Sequence, residues 1–513
     1  MKGRTTSCPS CGAPVEFRNR GSWVAVCDFC QTAVGRGDKN PEDYGKVGDL
    51  VVTDSPIRRG TVGQYRNRSF EVTGRVQYQH PAGGTWDEWY LTFRDGKMGW
   101  LAEAQGKRYL TFRRQLKSRD NLDLDKFEPG QRFRLRNQEF SVDEVGSAVA
   151  LAAEGEIPWV FRPGADHRFA DLSGSDGAYA TIDADETGVS FYLGREVSLD
   201  DLQLESDDWQ AERSPQLVPG VQLNCPHCGG QISLHAPDKT ERVTCGNCSS
   251  LLDVSQGKLS FFKTITAKKV HPKIPLGSEG TIDGVGYTVI GFMERFTTYH
   301  EKTYPWVEYL LYSTDKGFRW LVQSERHWTF VEPVATHDVK FQNRAASVNK
   351  HRFKMYDRGH AIVRFVLGEF YWRVEIGEAV ETVDYISPPH SLSAERSKTS
   401  SSEEFNVSFG TYMSPAEVEA AFGLESGHLP IPWGVGPCQP SPEVGYGVFL
   451  LWPVFIGLLW VTHLAFRQSD SFMMLFAMAA VSLFPIGVLF YKHNFEVQRW
   501  QDSDYSPYSS DDD

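Results

Sequence analysis

At 513 residues the chain has room for three to four domains, and its net charge of −13 excludes a protein that coats nucleic acid by bulk electrostatics. Aromatic side chains are abundant (14 Trp, 20 Tyr, 32 Phe), and short alternating apolar runs among many glycines favour β-sheet over helical bundles. Met1 to Ser10 are polar, so the sequence predicts no secretory signal peptide.

Residues 1–35 read as a zinc ribbon. Cys8-Pro-Ser-Cys11 and Cys27-Asp-Phe-Cys30 are two Cys-x-x-Cys pairs with fifteen residues between them. Each pair forms a tight knuckle that presents two thiolates, and two knuckles complete a tetrahedron. Four thiolates leave no open position for water, so the expected zinc is structural rather than catalytic. Residues 216–255 repeat the motif as Cys225-Pro-His-Cys228 and Cys245-Gly-Asn-Cys248, with sixteen residues between the pairs. Cys438 stands apart from both sets. Arg18, Arg20, Lys239 and Arg242 lie near the ribbons, but acids accompany them and no dense basic stripe forms.

The ribbons open two halves of one design. His80, Trp86, Glu88, Leu91, Asp95, Trp100 and Leu101 reappear as His300, Trp306, Glu308, Leu311, Asp315, Trp320 and Leu321, all at an offset of 220. Further on, Gly155, Glu156 and Trp159 parallel Gly368, Glu369 and Trp372, and Gly194 and Ser198 parallel Gly410 and Ser414. This divides the first half into β units 45–125 and 126–215, and the second into β units 270–335 and 336–422. Trp89, Leu91 and Phe93 alternate with Trp86, Glu88 and Tyr90, the period-2 pattern of a half-buried strand, and Asp95-Gly96 reads as a hairpin turn. The fold class is therefore mainly β: two zinc ribbons, each followed by barrel-like or sandwich-like units. The Ser-rich stretch 387–404 reads as a loop, and residues 423–445 as a Gly/Pro-rich linker.

Several of these runs carry a resemblance. Gly60-Thr-Val-Gly63, Phe70-Glu-Val-Thr-Gly74, Thr85-Trp-Asp-Glu-Trp-Tyr-Leu91 and Gly99-Trp-Leu-Ala-Glu103 resemble the bacterial domain of unknown function numbered 4178. The resemblance covers most of both halves. The second half departs from it, with Trp306-Val-Glu-Tyr309 in place of the Trp-Asp-Glu-Trp run. Such proteins tend to be encoded near polyamine-biosynthesis-like enzymes and small membrane proteins. The resemblance thus implies a membrane-linked or polyamine-linked complex.

Residues 446–491 read as a hairpin of transmembrane helices. Tyr446 to Phe466 lacks formal charge apart from titratable His463, and 21 helical residues rise about 31 Å, enough to cross a hydrocarbon core. Phe472 to Tyr491 supplies the second span after the turn Arg467-Gln-Ser-Asp470. Lys492, His493 and Arg499 place both flanks in the cytoplasm by the positive-inside rule, at a bacterial inner membrane. Reduced thiolate ligands agree with that compartment. Residues 492–513 read as an acidic, disordered tail.

Walker, His-Glu-x-x-His and Gly-x-Ser-x-Gly motifs are absent from the sequence, so no catalytic residue is assigned and a non-enzymatic role is expected. The recurring pairs Trp86 with Glu88 and Trp306 with Glu308 are the candidate ligand residues. An indole face beside a carboxylate suits an organic cation, a polyamine included. The competing reading has each Trp in the core and each Glu satisfied by a neighbouring Arg. Arg113, Arg114, Lys117 and Arg119, and the alternating Arg132, Arg134 and Arg136, read as solvated faces or contacts to anionic headgroups. Three functions follow as expectations. One is a membrane scaffold that binds a protein partner; the others are a sensor of a cationic small molecule and a ribbon protein that binds nucleic acid, which the charge disfavours.

Overall fold

The computed structural model describes residues 4–19, 21–37, 40–50, 53, 55–80, 84–104, 106–116, 122–135, 138–185, 188–205, 223–255, 258–266, 269–299, 302–348, 350–399, 401–443, 447–465 and 471–508. His300, Lys117, Arg119, Arg136, the turn 467–470 and the last five residues lie outside them.

Each half closes one eight-stranded antiparallel barrel from two four-stranded meanders. Barrel one begins with β1 (Arg68–Gln79), β2 (Thr85–Phe93), β3 (Met98–Ala104) and β4 (Lys107–Arg114). Its second meander is β5 (Gln138–Ile157), β6 (Asp166–Gly174), β7 (Ala178–Asp185) and β8 (Gly188–Glu196). Strand β5 pairs with β1, and β4 pairs with β8, which closes the ring. Barrel two repeats the plan with β9 (Val285–Tyr299), β10 (Lys302–Ser313), β11 (Gly317–Ser324) and β12 (His327–Val334), then β13 (His351–Phe370), β14 (Ala379–Ser387), β15 (His390–Lys398) and β16 (Ser402–Met413). Closure comes from β9 with β13 and β12 with β16. The boundaries expected at 125/126 and 335/336 therefore divide each barrel into its two meanders; neither meander makes a barrel or sandwich alone. A four-stranded meander leaves two open edges, and pairing them with the second meander satisfies both.

The repeated residues explain the repeated geometry. Registers shift between Val72 and Gly74 and again between Val289 and Gly291, a β-bulge at the equivalent place in each barrel. A Cβ on Gly74 would lie 2.1 Å from the Glu156 carbonyl, and one on Gly291 2.4 Å from that of Glu369, so only glycine fits where the first and fifth strands cross. Ser198 and Ser414 cap two short helices, α1 (Leu199–Leu202) and α2 (Pro415–Ala421), with capping boxes to Asp201 and Glu417. At the predicted hairpin, Asp95 Oδ1 accepts from Lys97 N (3.1 Å).

On β2, one face carries Trp89, Leu91 and Phe93 into an apolar core with Phe70, Val72, Leu101, Leu110 and Leu202, under α1. Each such side chain contributes about 1.5–3 kcal/mol by leaving water. The other face, with Trp86 and Glu88, looks into the barrel. Polar inner faces also explain the misread stretch 387–404. Ser391, Ser393 and Glu395 of β15 line the interior, so a true strand reads as a loop.

The halves are joined edge to edge. Glu144, Val145 and Gly146 of β5 pair with Glu404, Glu403 and Ser402 at the start of β16. Arg132 donates to the carbonyls of His337 (2.8 Å) and Val339 (2.5 Å), so it ties the halves together instead of facing headgroups.

Two apolar helices follow, α3 (Gly447–Ala465) and α4 (Ser471–Arg499). The expected linker and tail do not stay loose. Arg499, 1% exposed, donates to the carbonyls of Pro437 (2.9 Å) and Gln439 (2.6 Å), and Trp500 packs on Tyr356 with ring centroids 5.5 Å apart. Tyr356 of β13 also donates to the Arg499 carbonyl (3.1 Å). The buried Arg499 thus fastens the end of α4, and residues as far as 503, to barrel two.

Candidate metal centres and the barrel cavity

The eight knuckle cysteines form two clusters. In the first, Cys8 Sγ lies 3.6 Å from Cys30 Sγ and Cys11 Sγ 3.7 Å from Cys27 Sγ. In the second, Cys225 to Cys248 and Cys228 to Cys245 are both 3.7 Å. A metal–sulfur bond of about 2.3 Å in a tetrahedron sets sulfur–sulfur edges of about 3.75 Å, so both clusters fit a four-thiolate metal ion. The knuckle backbone makes this possible: Gly12 N and Gly229 N bond to the carbonyls of Cys8 and Cys225 at 2.9 and 2.8 Å, with φ of +76° and +72°. Thr32 Oγ1 and Ser250 Oγ sit 3.2 and 3.1 Å from Cys30 and Cys248 Sγ, where a hydroxyl can orient a thiolate. His227 stacks on Phe261 and is not among the four ligands.

Each ribbon is docked by the glutamate of the Gly-Glu echo. Glu156 accepts from Arg18 N (2.8 Å) and Asn19 N (2.9 Å). Glu369 accepts from His235 N (2.7 Å), Ala236 N (3.1 Å) and Thr240 Oγ1 (2.8 Å). Both carboxylates are buried, and their strands pair with Ala25 and Val243 of the ribbons. Arg242, near the second ribbon, is consumed internally: it pairs with Asp253 (2.7 Å) and donates to the Val374 carbonyl.

A continuous cavity of about 1850 Å³ runs through both barrels. In barrel one it is acidic and aromatic. Glu88 Oε1 accepts from Trp86 Nε1 (3.2 Å), and its other oxygen accepts from Trp100 Nε1. Asp183 on β7 lies 3.2 Å from His167. Asp171 takes a bond from Thr181 (2.9 Å), and Asp143 one from Ser173 (2.8 Å). Burial, reinforced by Asp183, pushes Glu88 up to about 7. Burial does the same to Asp143, to about 7, and to Asp171, to about 6. His167 and Lys107, which also line the cavity, offset part of the shift at Glu88 and at Asp143 respectively.

At the junction, His80 Nε2 sits 2.5 Å from Glu144 and 3.7 Å from Glu404 of the other half. Burial alone would lower His80, but Glu144 and then Glu404 outweigh it, so its pKa is raised.

Barrel two repeats the Trp–Glu pair with a different partner. Trp306 Nε1 donates to Glu308 Oε1 (2.6 Å), and Arg295 Nη1 bridges Glu308 Oε1 (3.2 Å) and Glu395 Oε1 (2.9 Å). The guanidinium lies 5.9 Å from the Trp306 ring centroid. Burial would lower the Arg295 pKa, but Glu395 and Glu308 raise it, so Arg295 stays charged. Thus Trp86 with Glu88 and Trp306 with Glu308 all line the cavity. The partners that complete the sites, Asp183 and Glu395, come from the second meander, nearly a hundred residues away. Sequence reasoning missed them; aligning the repeat at Gly194 and Gly410 reveals them, because these glycines face Tyr179 and Ser391 and the acids lie four residues further on.

Among the helices, Phe472–Arg499 is long and apolar enough to cross a membrane, and Phe449–Ala465 is apolar and shorter.

The family described as Domain of unknown function (DUF4178) matches residues 58–199 and 275–415, one match per barrel. No curated protein matches the chain. Among solved structures, intact Ap-TbpB (N and C lobes) is 9% identical, over 77% of this chain and 87% of its own, with a TM-score of 0.11. The Pseudomonas aeruginosa MucA/MucB complex is 10% identical, over 70% of this chain and 93% of its own, with a TM-score of 0.08. TM-scores this low define no common fold.

Proposed function

The chain belongs to the DUF4178 family through both of its halves, and we propose that it is a membrane-anchored, non-enzymatic binding protein for a small organic cation. The observation that carries this reading is the interior of barrel one. Glu88, Asp143, Asp171 and Asp183 gather in an aromatic-walled cavity, where a cation gains charge attraction and a π face at once.

Two zinc ions brace the fold. Sulfur spacing and a full thiolate shell support a structural role, and the docking glutamates couple each ribbon to its barrel. The helices α3 and α4 act as a hairpin anchor. Leu450, Phe472 and Phe490 are 69%, 73% and 70% exposed, an apolar surface that water would penalise and lipid would not. The thiolates, and Lys492 and His493 in the C-terminal part of α4, support a cytoplasmic position at a bacterial inner membrane.

Isothermal titration of the full-length protein in detergent with a panel of organic cations (a diamine, a quaternary amine, a guanidinium) tests the reading. Saturable binding lost in Glu88→Gln is expected. No binding by any member of the panel would refute it.

An adaptor role is the second reading. Phe29, between ligands Cys27 and Cys30, is 74% exposed at the tip of ribbon one, where a protein partner can reach it. A partner that co-purifies with the wild type but not with Phe29→Ala would establish that role.

A further inference from the structure

The two barrels are copies, so a difference between their sites is informative. The register equates their positions: Trp86 faces Tyr78 across β1 and β2, and Trp306 faces Arg295 across β9 and β10. Glu88 therefore corresponds to Glu308, Asp183 to Glu395, and Tyr78 to Arg295. The two acids and the indole persist in both barrels. Their surroundings differ: Tyr78 supplies a phenol ring where barrel two has the Arg295 guanidinium, and His167, 3.2 Å from Asp183, stands where barrel two has Val380.

Burial follows the same difference. Glu308 is 7% exposed beneath Arg295, whereas Glu88 keeps part of its surface open to the cavity. Tyr78 stacks on Trp86 with centroids 5.3 Å apart and an angle of 19°, which extends the aromatic wall instead of filling the space between the acids. Glu88 is held by indole N–H groups, which orient a carboxylate without a full charge of their own, and the basic group beside its partner Asp183 is the His167 imidazole at 3.2 Å.

We propose that Arg295 is a built-in ligand that plugs the second barrel, and that barrel one binds an external guanidinium compound between Glu88 and Asp183 in the place Arg295 occupies in the copy. This rests on the cation-binding reading above and narrows it to one ligand class and one site per chain. A guanidinium suits the site better than an ammonium. It is planar, weakly hydrated, stacks on an indole, and directs parallel N–H groups at two carboxylates. The loss of the Trp-Asp-Glu-Trp run in the second half is a separate change on the opposite strand face: Arg75, buried and paired with Asp87 (2.8 Å) in barrel one, has the apolar Phe292 as its counterpart in barrel two.

The test is isothermal titration of the full chain in detergent with butylguanidinium and butylammonium, a pair matched in chain length. The expected result is one butylguanidinium per chain, bound roughly tenfold or more tightly than butylammonium. Glu88→Gln and Asp183→Asn should each weaken it by about tenfold or more. Tyr78→Arg should abolish it by plugging barrel one. Arg295→Ala should open a second site, raise the stoichiometry to two, and regain thermal stability with added guanidinium. If Tyr78→Arg does not fold, the Glu88 and Asp183 variants and the Arg295→Ala stoichiometry still decide the matter. Equal or stronger binding of butylammonium, or guanidinium binding indifferent to Glu88→Gln, would overturn the guanidinium assignment and leave the broader cation reading standing. Absence of binding by both compounds, and by the wider panel, would overturn the two together.

Discussion

Glu88→Gln and Glu308→Gln are the same substitution at equivalent positions, and the structure demands opposite effects on stability. Glu88 sits at about 7 in the folded state against an ordinary value of 4.5. A raised carboxylate pKa means that the fold prefers the neutral acid. Between pH 4.5 and 7 the folded chain holds a proton that the unfolded chain has released, so stability falls as pH rises through that window. A shift of this size amounts to roughly 3 kcal/mol once both states have lost the proton. Glutamine removes that penalty at pH 8 but can accept only one of the two indole bonds, at a cost of about 1 kcal/mol. The net expectation is a gain of roughly 2 kcal/mol at pH 8 and almost no change near pH 5. Glu308→Gln instead takes a charged partner from buried Arg295, which keeps Glu395, and should cost roughly 1.5–3 kcal/mol. Two barrels need not unfold together, so the assay is hydrogen exchange, read separately on peptides from β2 and β10. Slower exchange in β2 at pH 8 for Glu88→Gln, with faster exchange in β10 for Glu308→Gln, is expected. Faster exchange in both would refute the idea that a charged Glu88 costs the fold stability at pH 8.

Other expectations are direct. Cation affinity should rise with pH through about 7, because Glu88 must lose its proton to bind; titrations at pH 6 and 8 check this, and tighter binding at pH 6 would contradict it. Metal analysis should find two zinc ions per chain, and Cys27→Ser should halve the count and speed exchange in residues 4–37 while sparing ribbon two. Glu369→Gln should keep both metals but loosen the second ribbon, by roughly 1–3 kcal/mol of local stability, because three donors at His235, Ala236 and Thr240 lose a charged acceptor. Arg499→Ala should expose residues 436–443 to protease by leaving the Pro437 and Gln439 carbonyls unbound.

The ribbons were legible because a thiolate tetrahedron is built from two short motifs whose spacing is written locally. The duplication and the strand character of β2 and β10 were legible for the same reason. Closure of the barrels was not, because it depends on β1 meeting β5 and β4 meeting β8 across long separations that no local pattern encodes. Strand β15 was hidden because its interior faces a polar cavity, so Ser391 and Ser393 break the apolar alternation by which strands are recognised. The Gly and Pro content of residues 423–445 predicts a linker, but Arg499 recruits their carbonyls, and no sequence pattern foretells an arginine that caps a loop sixty residues away. The Trp–Glu pairs pointed to the cavity; Asp183, Glu395 and Arg295, which decide what each pair does, become visible only when the two barrels are laid over one another.

Native mass spectrometry of the intact chain, released gently from its own membranes, tests the central claim most directly. The account predicts two zinc ions and one small organic cation per chain, with the cation absent from Glu88→Gln and both zinc ions retained. A chain that carries its metals and no cation, or a cation that survives Glu88→Gln, would contradict it.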